Sequence, residues 1–287
     1  MTEYFVAKKF LGMTAAAVDA EWIYVGLPMD FTASFQPGSR FGPPRIREAS
    51  YGLETYSLLL DRDLEDVSVA DVGDLEFAFG NVSQALTQIG EAAQSILAEG
   101  KRFVAVGGEH LVTLPLIQAV VSHYPDLVVV HWDAHADLRD TYLGERLSHA
   151  TVLRRVAELL RPGHLYQFGI RSGTREEMVY AKAHTHLYPE AVLAPLTSVM
   201  EELKGRPLYV TIDLDVIDPG FFPGTGTPEP GGISAAEALS ALRLLGGLNV
   251  VGMDFVETMP LPDVSQRTAV LAAKMIRDAL LTVTRPR

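Results

Sequence analysis

His131-Trp132-Asp133-Ala134-His135-Ala136-Asp137 and Asp213-Leu214-Asp215 are the residues of this chain whose types and spacing could do chemistry. Each run closes a hydrophobic segment, Leu127–Val130 and Leu208–Ile212 respectively. A buried strand does not ordinarily end in carboxylates, because an unpaired charge in a dry interior is heavily penalised. The simplest compensation is a pair of divalent cations. Gly107-Gly108-Glu109-His110 after Phe103–Val106, and Glu257 after Asn249–Phe255, place further polar groups at two more strand ends.

Residues i and i+2 of a strand point the same way, with Cα atoms roughly 6–7 Å apart. Asp213 and Asp215 can therefore reach adjacent ions from one side, and Asp133 and His135 from another. Asp137 would lie about 13 Å from Asp133 on an extended strand, so the chain is expected to curl back after His135. His110 follows two glycines that permit a tight turn and adds an imidazole. His131 is placed on the opposite pleat from Asp133 and left out of the set; His123, His164, His184 and His186 read as peripheral. The metal ligands are then His110, Asp133, His135, Asp137, Asp213 and Asp215. Carboxylates and imidazoles without sulfur suit Mn(II) better than a structural zinc site. Two divalent ions, four aspartates and a bridging hydroxide sum to about -1, a site for a cation rather than a phosphate.

These residues need elements that bring them together. Short apolar runs rich in β-branched residues occur at Trp22–Leu27, Val67–Val72, Phe103–Val106, Leu127–His131, Leu165–Ile170, Leu208–Ile212 and Asn249–Phe255. Helical patterns lie between them at Ser83–Ala98, Val112–His123, Ala150–Leu160, Arg175–Ala183 and Ala235–Leu245, the last opened by a capping box in Ser234-Ala235-Ala236-Glu237. Continuous apolar strands alternating with helices predict an α/β fold, a mostly parallel central sheet covered on both faces in three αβα layers. Such sheets bind ligands in the crevice beyond the C-terminal strand ends, where all the polar groups above are expected. No repeat, low-complexity tract or linker-like shift divides the 287 residues, which read as a single domain, 1–287.

Composition narrows the function. A net charge of -12 disfavours nucleic acid and anionic membranes as partners and weakly favours a cationic small molecule. The absence of Cys excludes disulfides, thiolate metal sites and cysteine catalysis. Met1–Lys9 lacks the basic-then-apolar layout of a secretion signal, and no apolar run reaches the roughly 20 residues of a bilayer span. A cytoplasmic location is the expectation.

Taken together, Gly107–His110, Asp133–Asp137, Ser148-His149, Thr211–Pro219 continuing through Pro223–Pro228 to Gly231-Gly232, and Gly252–Glu257 resemble the ureohydrolase family, the arginases, agmatinases and their relatives. Pro37–Pro43 is similar to the agmatinase branch in particular. The resemblance implies the arginase-like fold, with one manganese held by His110, Asp133, Asp137 and Asp213. It implies a second held by His135, Asp133, Asp213 and Asp215. It assigns Glu257 to the guanidinium of the substrate, consistent with the bidentate pairing of carboxylate and guanidinium, and His149 to proton transfer near the leaving amine. Read from residues alone, Ser148-His149 could equally be a helix cap. The implied mechanism is attack of a metal-bridging hydroxide on the guanidinium carbon, with Asp137 passing the proton to the leaving amine and His149 shuttling protons to solvent.

The segment Tyr142–Ser148 lacks the Ser-Gly-Asn type of sequence with which arginases grip the α-amino and α-carboxylate groups, which points to agmatine, giving putrescine and urea. Arg146 could receive a carboxylate, so guanidinobutyrate and formiminoglutamate stay open beside arginine; a ligand-binding regulator with a retained metal site is the non-enzymatic alternative. Phe221-Phe222 and Leu261-Pro262 depart from the family pattern and are placed at the active-site rim. A trimer or hexamer is implied by the resemblance.

Overall fold

The computed structural model describes residues 8–284; the N-terminal segment read above for signal layout lies largely outside them. The strands are β1 (Trp22–Leu27), β2 (Tyr56–Ser57), β3 (Arg62–Asp63), β4 (Val69–Asp74), β5 (Arg102–Gly107), β6 (Val128–Trp132), β7 (Leu165–Ile170), β8 (His186–Pro189), β9 (Pro207–Asp213) and β10 (Asn249–Val256). The helices are α1 (Gly42–Ser50), α2 (Val82–Ala98), α3 (Thr113–His123), α4 (Val152–Leu159), α5 (Arg175–His184), α6 (Leu193–Leu203), α7 (Ala235–Leu244) and α8 (Arg267–Val283). β2 and β3 form a small antiparallel pair. The other strands make one eight-stranded sheet in the order β4-β1-β5-β10-β9-β6-β7-β8, with each neighbouring pair parallel.

Strand period divides the buried side chains between two cores. Val128, Val130 and Trp132 of β6, Val210 and Ile212 of β9, and Phe255 of β10 pack on one face with α1, α6, α7 and α8. Val129, Tyr209 and Val251 pack on the other face with α2, α3 and α4. The sheet is thus covered on both sides, as the unbroken apolar runs require.

The expected strands and helices occur where the apolar patterns place them, within about two residues at the ends. Six elements lie outside the apolar patterns: α1, α6, α8, the edge strand β8 and the two-residue strands β2 and β3. The important topological fact is that β5 and β6, consecutive in the chain, do not pair. The chain crosses from one half of the sheet to the other between them, and β9 and β10 fill the gap later. The C-terminal ends of β5, β10, β9 and β6 therefore stand side by side at the switch point, where open α/β sheets bind their ligands.

Candidate active site

Each of the four central strands ends in a turn that aims a polar side chain into the crevice. After β5, Gly108 runs against the chain leaving β1: its N–H donates to Leu27 O, and an added Cβ would lie 2.0 Å from Met29 O. Only glycine allows this approach, and it sets His110 in the one-turn 3-10 helix that precedes α3. After β6, Asp137 adopts φ 53°, the left-handed conformation that returns the chain as the sequence spacing demanded. After β9, Asp213 caps its own turn, its Oδ1 accepting the N–H of Asp215 at 2.9 Å. After β10, Glu257 has φ 61°. A non-glycine residue held there costs on the order of 1–3 kcal/mol, and two such residues line this one crevice.

The predicted ligand atoms come together in two overlapping clusters. His110 Nδ1 lies 3.1 Å from Asp133 Oδ2, 3.2 Å from Asp137 Oδ2 and 3.5 Å from Asp213 Oδ2. His135 Nδ1 lies 2.9 Å from Asp215 Oδ2 and 3.5 Å from Asp133 Oδ1. Asp133 thus offers one oxygen to each cluster. Atoms bound about 2.1 Å from one octahedral ion stand roughly 3 Å apart, which is the spacing seen. His110 Nδ1 and Asp215 Oδ2 are buried and have no hydrogen-bond partner among the described residues, so the donor set fits divalent cations.

The network behind His110 explains which ring nitrogen is available. Thr211 Oγ1 donates to Asp254 Oδ1 at 2.6 Å, so it accepts from His110 Nε2–H at 3.0 Å. Asp254 takes two more donors, Tyr209 OH at 2.6 Å and Thr113 Oγ1 at 3.0 Å. With Nε2 protonated, Nδ1 must meet three carboxylates carrying either a proton or a metal ion. Burial alone would lower the basicity of His110, but hydrogen bonding to Asp133, Asp137 and Asp213 outweighs it and holds the imidazole well above its ordinary range. Burial, then the charges of Asp215 and Asp133, push the Asp213 carboxyl well up. The cluster demands positive charge.

His131 corrects the sequence reading. Residues two apart on a strand share a face, so His131 points with Asp133, not away from it. Its Nε2 lies 2.8 Å from Asp133 Oδ2. Gln167 Nε2 stands 2.8 Å from Ala136 O and 3.1 Å from His131 Nδ1, so it donates to the ring and leaves the proton on Nε2. His131 has no lone pair left for a metal, although it sits among the ligating groups. It orients Asp133, a role two-residue spacing alone could have revealed.

Glu257 and His149 complete the crevice. Glu257 Oε1 accepts the backbone N–H of His110 at 2.9 Å, and burial followed by the charge of Glu109 raises its carboxyl well above the usual range. Its Oε2 faces the loop Pro223–Pro228, where a Cβ added to Gly226 would stand 3.8 Å away. His149 lies in the single 3-10 turn before α4, capped by Ser148, so the capping reading holds for Ser148 while the His149 ring enters the crevice. There it lines a cavity of about 290 Å³ with His135, Asp137, Ser34, Tyr142 and Thr227. Burial, then the neighbouring His135 and His110, hold His149 down at about 4, against the pull of its Thr32 hydrogen bond, so the ring is neutral near pH 7.

The rim differs from expectation in three places. Phe222 is fully buried in the core. Leu261 lines a separate groove with Phe41, Pro44 and Val264. Arg146 pairs with Asp140 at 3.2 Å and Glu158 at 3.6 Å on the surface, outside the cavity lined by Asp137 and His149. Tyr142 is the residue of the 142–148 loop that lines it. Arg139, unremarked in the sequence, also lines it, 3.7 Å from Glu177.

The model for the Arginase family matches residues 20–282. The chain belongs to the arginase family. An agmatinase from Bacillus subtilis (strain 168) is 49% identical over 282 residues, covering 97% of each chain. The agmatine ureohydrolase of Thermoplasma volcanium superposes with a TM-score of 0.89 at 31% identity, covering 97% of this chain and 95% of that one. The proclavaminate amidino hydrolase from Streptomyces clavuligerus also gives 0.89, at 29% identity and 97% coverage of each. The chain is accordingly a ureohydrolase, a hydrolase of C–N bonds. Among the described residues no helix is long and apolar enough to cross a membrane.

Proposed function

We propose that this arginase-family protein hydrolyses agmatine to putrescine and urea at a binuclear manganese site. The observation that carries the reading is His110 Nδ1, buried and facing the three carboxylates of Asp133, Asp137 and Asp213 within 3.5 Å, beside a carboxylate that can take a guanidinium. The likeness to agmatinases along nearly the whole chain supports agmatine as the substrate, as does the 142–148 loop without an arginine-type grip.

His110, Asp133, Asp137 and Asp213 would hold one ion, and His135, Asp133, Asp213 and Asp215 the other. Bound there, the pair supplies Lewis acidity and a water that is a nucleophile at neutral pH. The chain's own groups do the rest. Glu257, raised out of its ordinary range and pinned by His110 N–H, gains most from a guanidinium partner and orients the carbon to be attacked. Asp137, at the inner end of the cavity, takes the proton of the attacking water and passes it to the leaving amine. Neutral His149 carries protons between the amine and solvent at the cavity mouth. A homo-oligomer of a single-domain subunit in the cytoplasm completes the proposal.

The test is hydrolysis, with manganese supplied, of agmatine, arginine and guanidinobutyrate, read as urea release, and of formiminoglutamate, read as formamide release. Agmatine is expected to exceed the others by at least about tenfold in kcat/KM, the value of roughly 1.4 kcal/mol of discrimination. Absence of urea from every guanidine rejects the reading; preference for arginine or guanidinobutyrate transfers the chemistry to that substrate.

A further inference from the structure

Glu109 is the buried titratable group that this chemistry leaves without a task. It is fully buried, and its Oε1 has no hydrogen-bond partner among the described residues. Its Oε2 accepts two bonds from one residue, Thr32 N–H at 2.8 Å and Thr32 Oγ1–H at 2.9 Å. Thr32 lies on the loop that follows β1, and the same hydroxyl oxygen reaches His149. It accepts the backbone N–H of His149 at 3.0 Å and stands 3.4 Å from ring Nδ1. On the far side of the ring, Nε2 lies 3.1 Å from Ser34 Oγ, which lines the catalytic cavity.

A hydroxyl has one proton and two lone pairs. Glu109 Oε2, which already accepts Thr32 N–H, is an acceptor and takes the Thr32 hydroxyl proton. The remaining lone pairs of Thr32 Oγ1 must face donors, which His149 supplies through its backbone N–H and, in one tautomer, through Nδ1–H. That tautomer leaves the Nε2 lone pair on the cavity side. The neighbouring Tyr142 ring meets His149 edge-on at 5.9 Å and closes the remaining side.

We infer that Glu109 and Thr32 are positioning residues for the proton carrier: Glu109, acting through the Thr32 hydroxyl, holds His149 in its Nδ1–H form with the Nε2 lone pair turned to the cavity, where Ser34 Oγ donates to it until the leaving amine takes that place. The inference rests on the proposed role of His149. A fixed partner on one ring nitrogen deciding the state of the other is the ordinary way a histidine is prepared for proton transfer.

The experiment is a double-mutant cycle on the manganese-loaded protein with agmatine. Thr32→Val keeps the side-chain shape and removes the hydroxyl. It is expected to lower kcat about 10–100-fold, the range for removing a group that orients a working histidine, with KM and bound manganese unchanged. Thr32→Ser restores the hydroxyl and should return kcat to within about threefold of wild type. On a His149→Ala background, Thr32→Val should cost nothing further, since residues acting as one unit are not additive. A kcat within twofold of wild type for Thr32→Val overturns the inference, and so does an undiminished further loss on the His149→Ala background, which marks a merely structural role. Should Thr32→Val not fold, Thr32→Ala enters the same cycle under the same criteria. Full activity in His149→Ala alone would instead remove the proton-carrier reading on which the inference stands.

Discussion

Replacing Asp213 by Asn separates the metal's contribution to stability from the cost of the ligand cluster itself, because the two respond in opposite directions. The substitution preserves shape, and the amide oxygen can still accept the Asp215 N–H now held at 2.9 Å. What changes is one negative charge among Asp133, Asp137 and Asp215. In metal-stripped protein the Asp213 carboxyl is raised well above 3.8 by burial and by Asp215 and Asp133. Above pH 3.8 the unfolded chain releases this proton while the folded one retains it, so stripped wild type loses stability as pH rises from 3.8 toward the raised value. At about 1.36 kcal/mol per pH unit, the loss accumulated by pH 7 is at most roughly 4 kcal/mol. Asn has no proton to lose, so stripped Asp213→Asn is expected to melt above stripped wild type at pH 7, by up to about 8 °C for a chain of this size.

Manganese should reverse the order. Each ion bound at about 100 times its Kd stabilises wild type by roughly 2.7 kcal/mol, and the variant, lacking a shared ligand, gains much less. Turnover should fall about 1000-fold, equivalent to roughly 4 kcal/mol of transition-state stabilisation from an intact metal pair. Scanning calorimetry with and without manganese, bound-metal analysis and urea release read all three quantities. Equal stripped stabilities, with metal content and turnover near wild type in the variant, would refute both the ligand assignment and the charge argument.

Four further outcomes follow from the same geometry. His131→Phe removes the donor to Asp133 Oδ2 and should weaken manganese binding about 10–100-fold, measured by metal titration; unchanged affinity would show that Asp133 needs no such support. Glu257→Gln keeps the acceptor for His110 N–H but loses the charge, and kcat/KM for agmatine should fall by about two to three decades, as when a charge-assisted pair is lost. His149 is held at about 4 against an ordinary 6.5. The unfolded chain therefore binds a proton that the folded one refuses, and stability falls as pH drops from 6.5 toward 4. Discounted for partial exposure, this is about 1–2 kcal/mol, seen as a steeper acid-side decline in urea unfolding for wild type than for His149→Gln. Gly108→Ala drives a Cβ into Met29 O and should cost more than about 3 kcal/mol; a melting temperature within 2 °C of wild type would show that the β1 loop yields.

Periodicity and residue chemistry carried much of this molecule. The apolar runs of β1, β7 and β10 were legible because buried parallel strands have no polar face to interrupt them. Elements with weak patterns escaped. α1 opens Gly42-Pro43-Pro44 and is largely polar; α6 carries Pro195 in its first turn, where proline is tolerated but reads as a breaker. α8 starts after Gln266 at φ 60° without a side-chain cap, and β8 is a short edge strand ending in proline. Within the site, Thr32 and Ser34 carried no signal, since their partners Glu109 and His149 lie about 77 and 115 residues away. Phe222 was misplaced because aromatic residues beside a glycine-rich loop look the same whether they line a rim or fill a core.

The amino-acid sequence by itself determined the chemistry: carboxylates and imidazoles at the ends of apolar strands, a charge total that needs cations, and a return of the chain after His135 forced by the spacing of Asp137 from Asp133. Those properties are local, set by side-chain type and a rise of about 3.3 Å per residue. Only the tertiary structure decided which nitrogen of His110 meets the carboxylates, that His131 supports Asp133, and that the loop after β1 sets Thr32 between Glu109 and His149. Proton position depends on hydrogen-bond partners, and here those partners are joined by strand order rather than by sequence, with β9 and β10 inserted between β5 and β6.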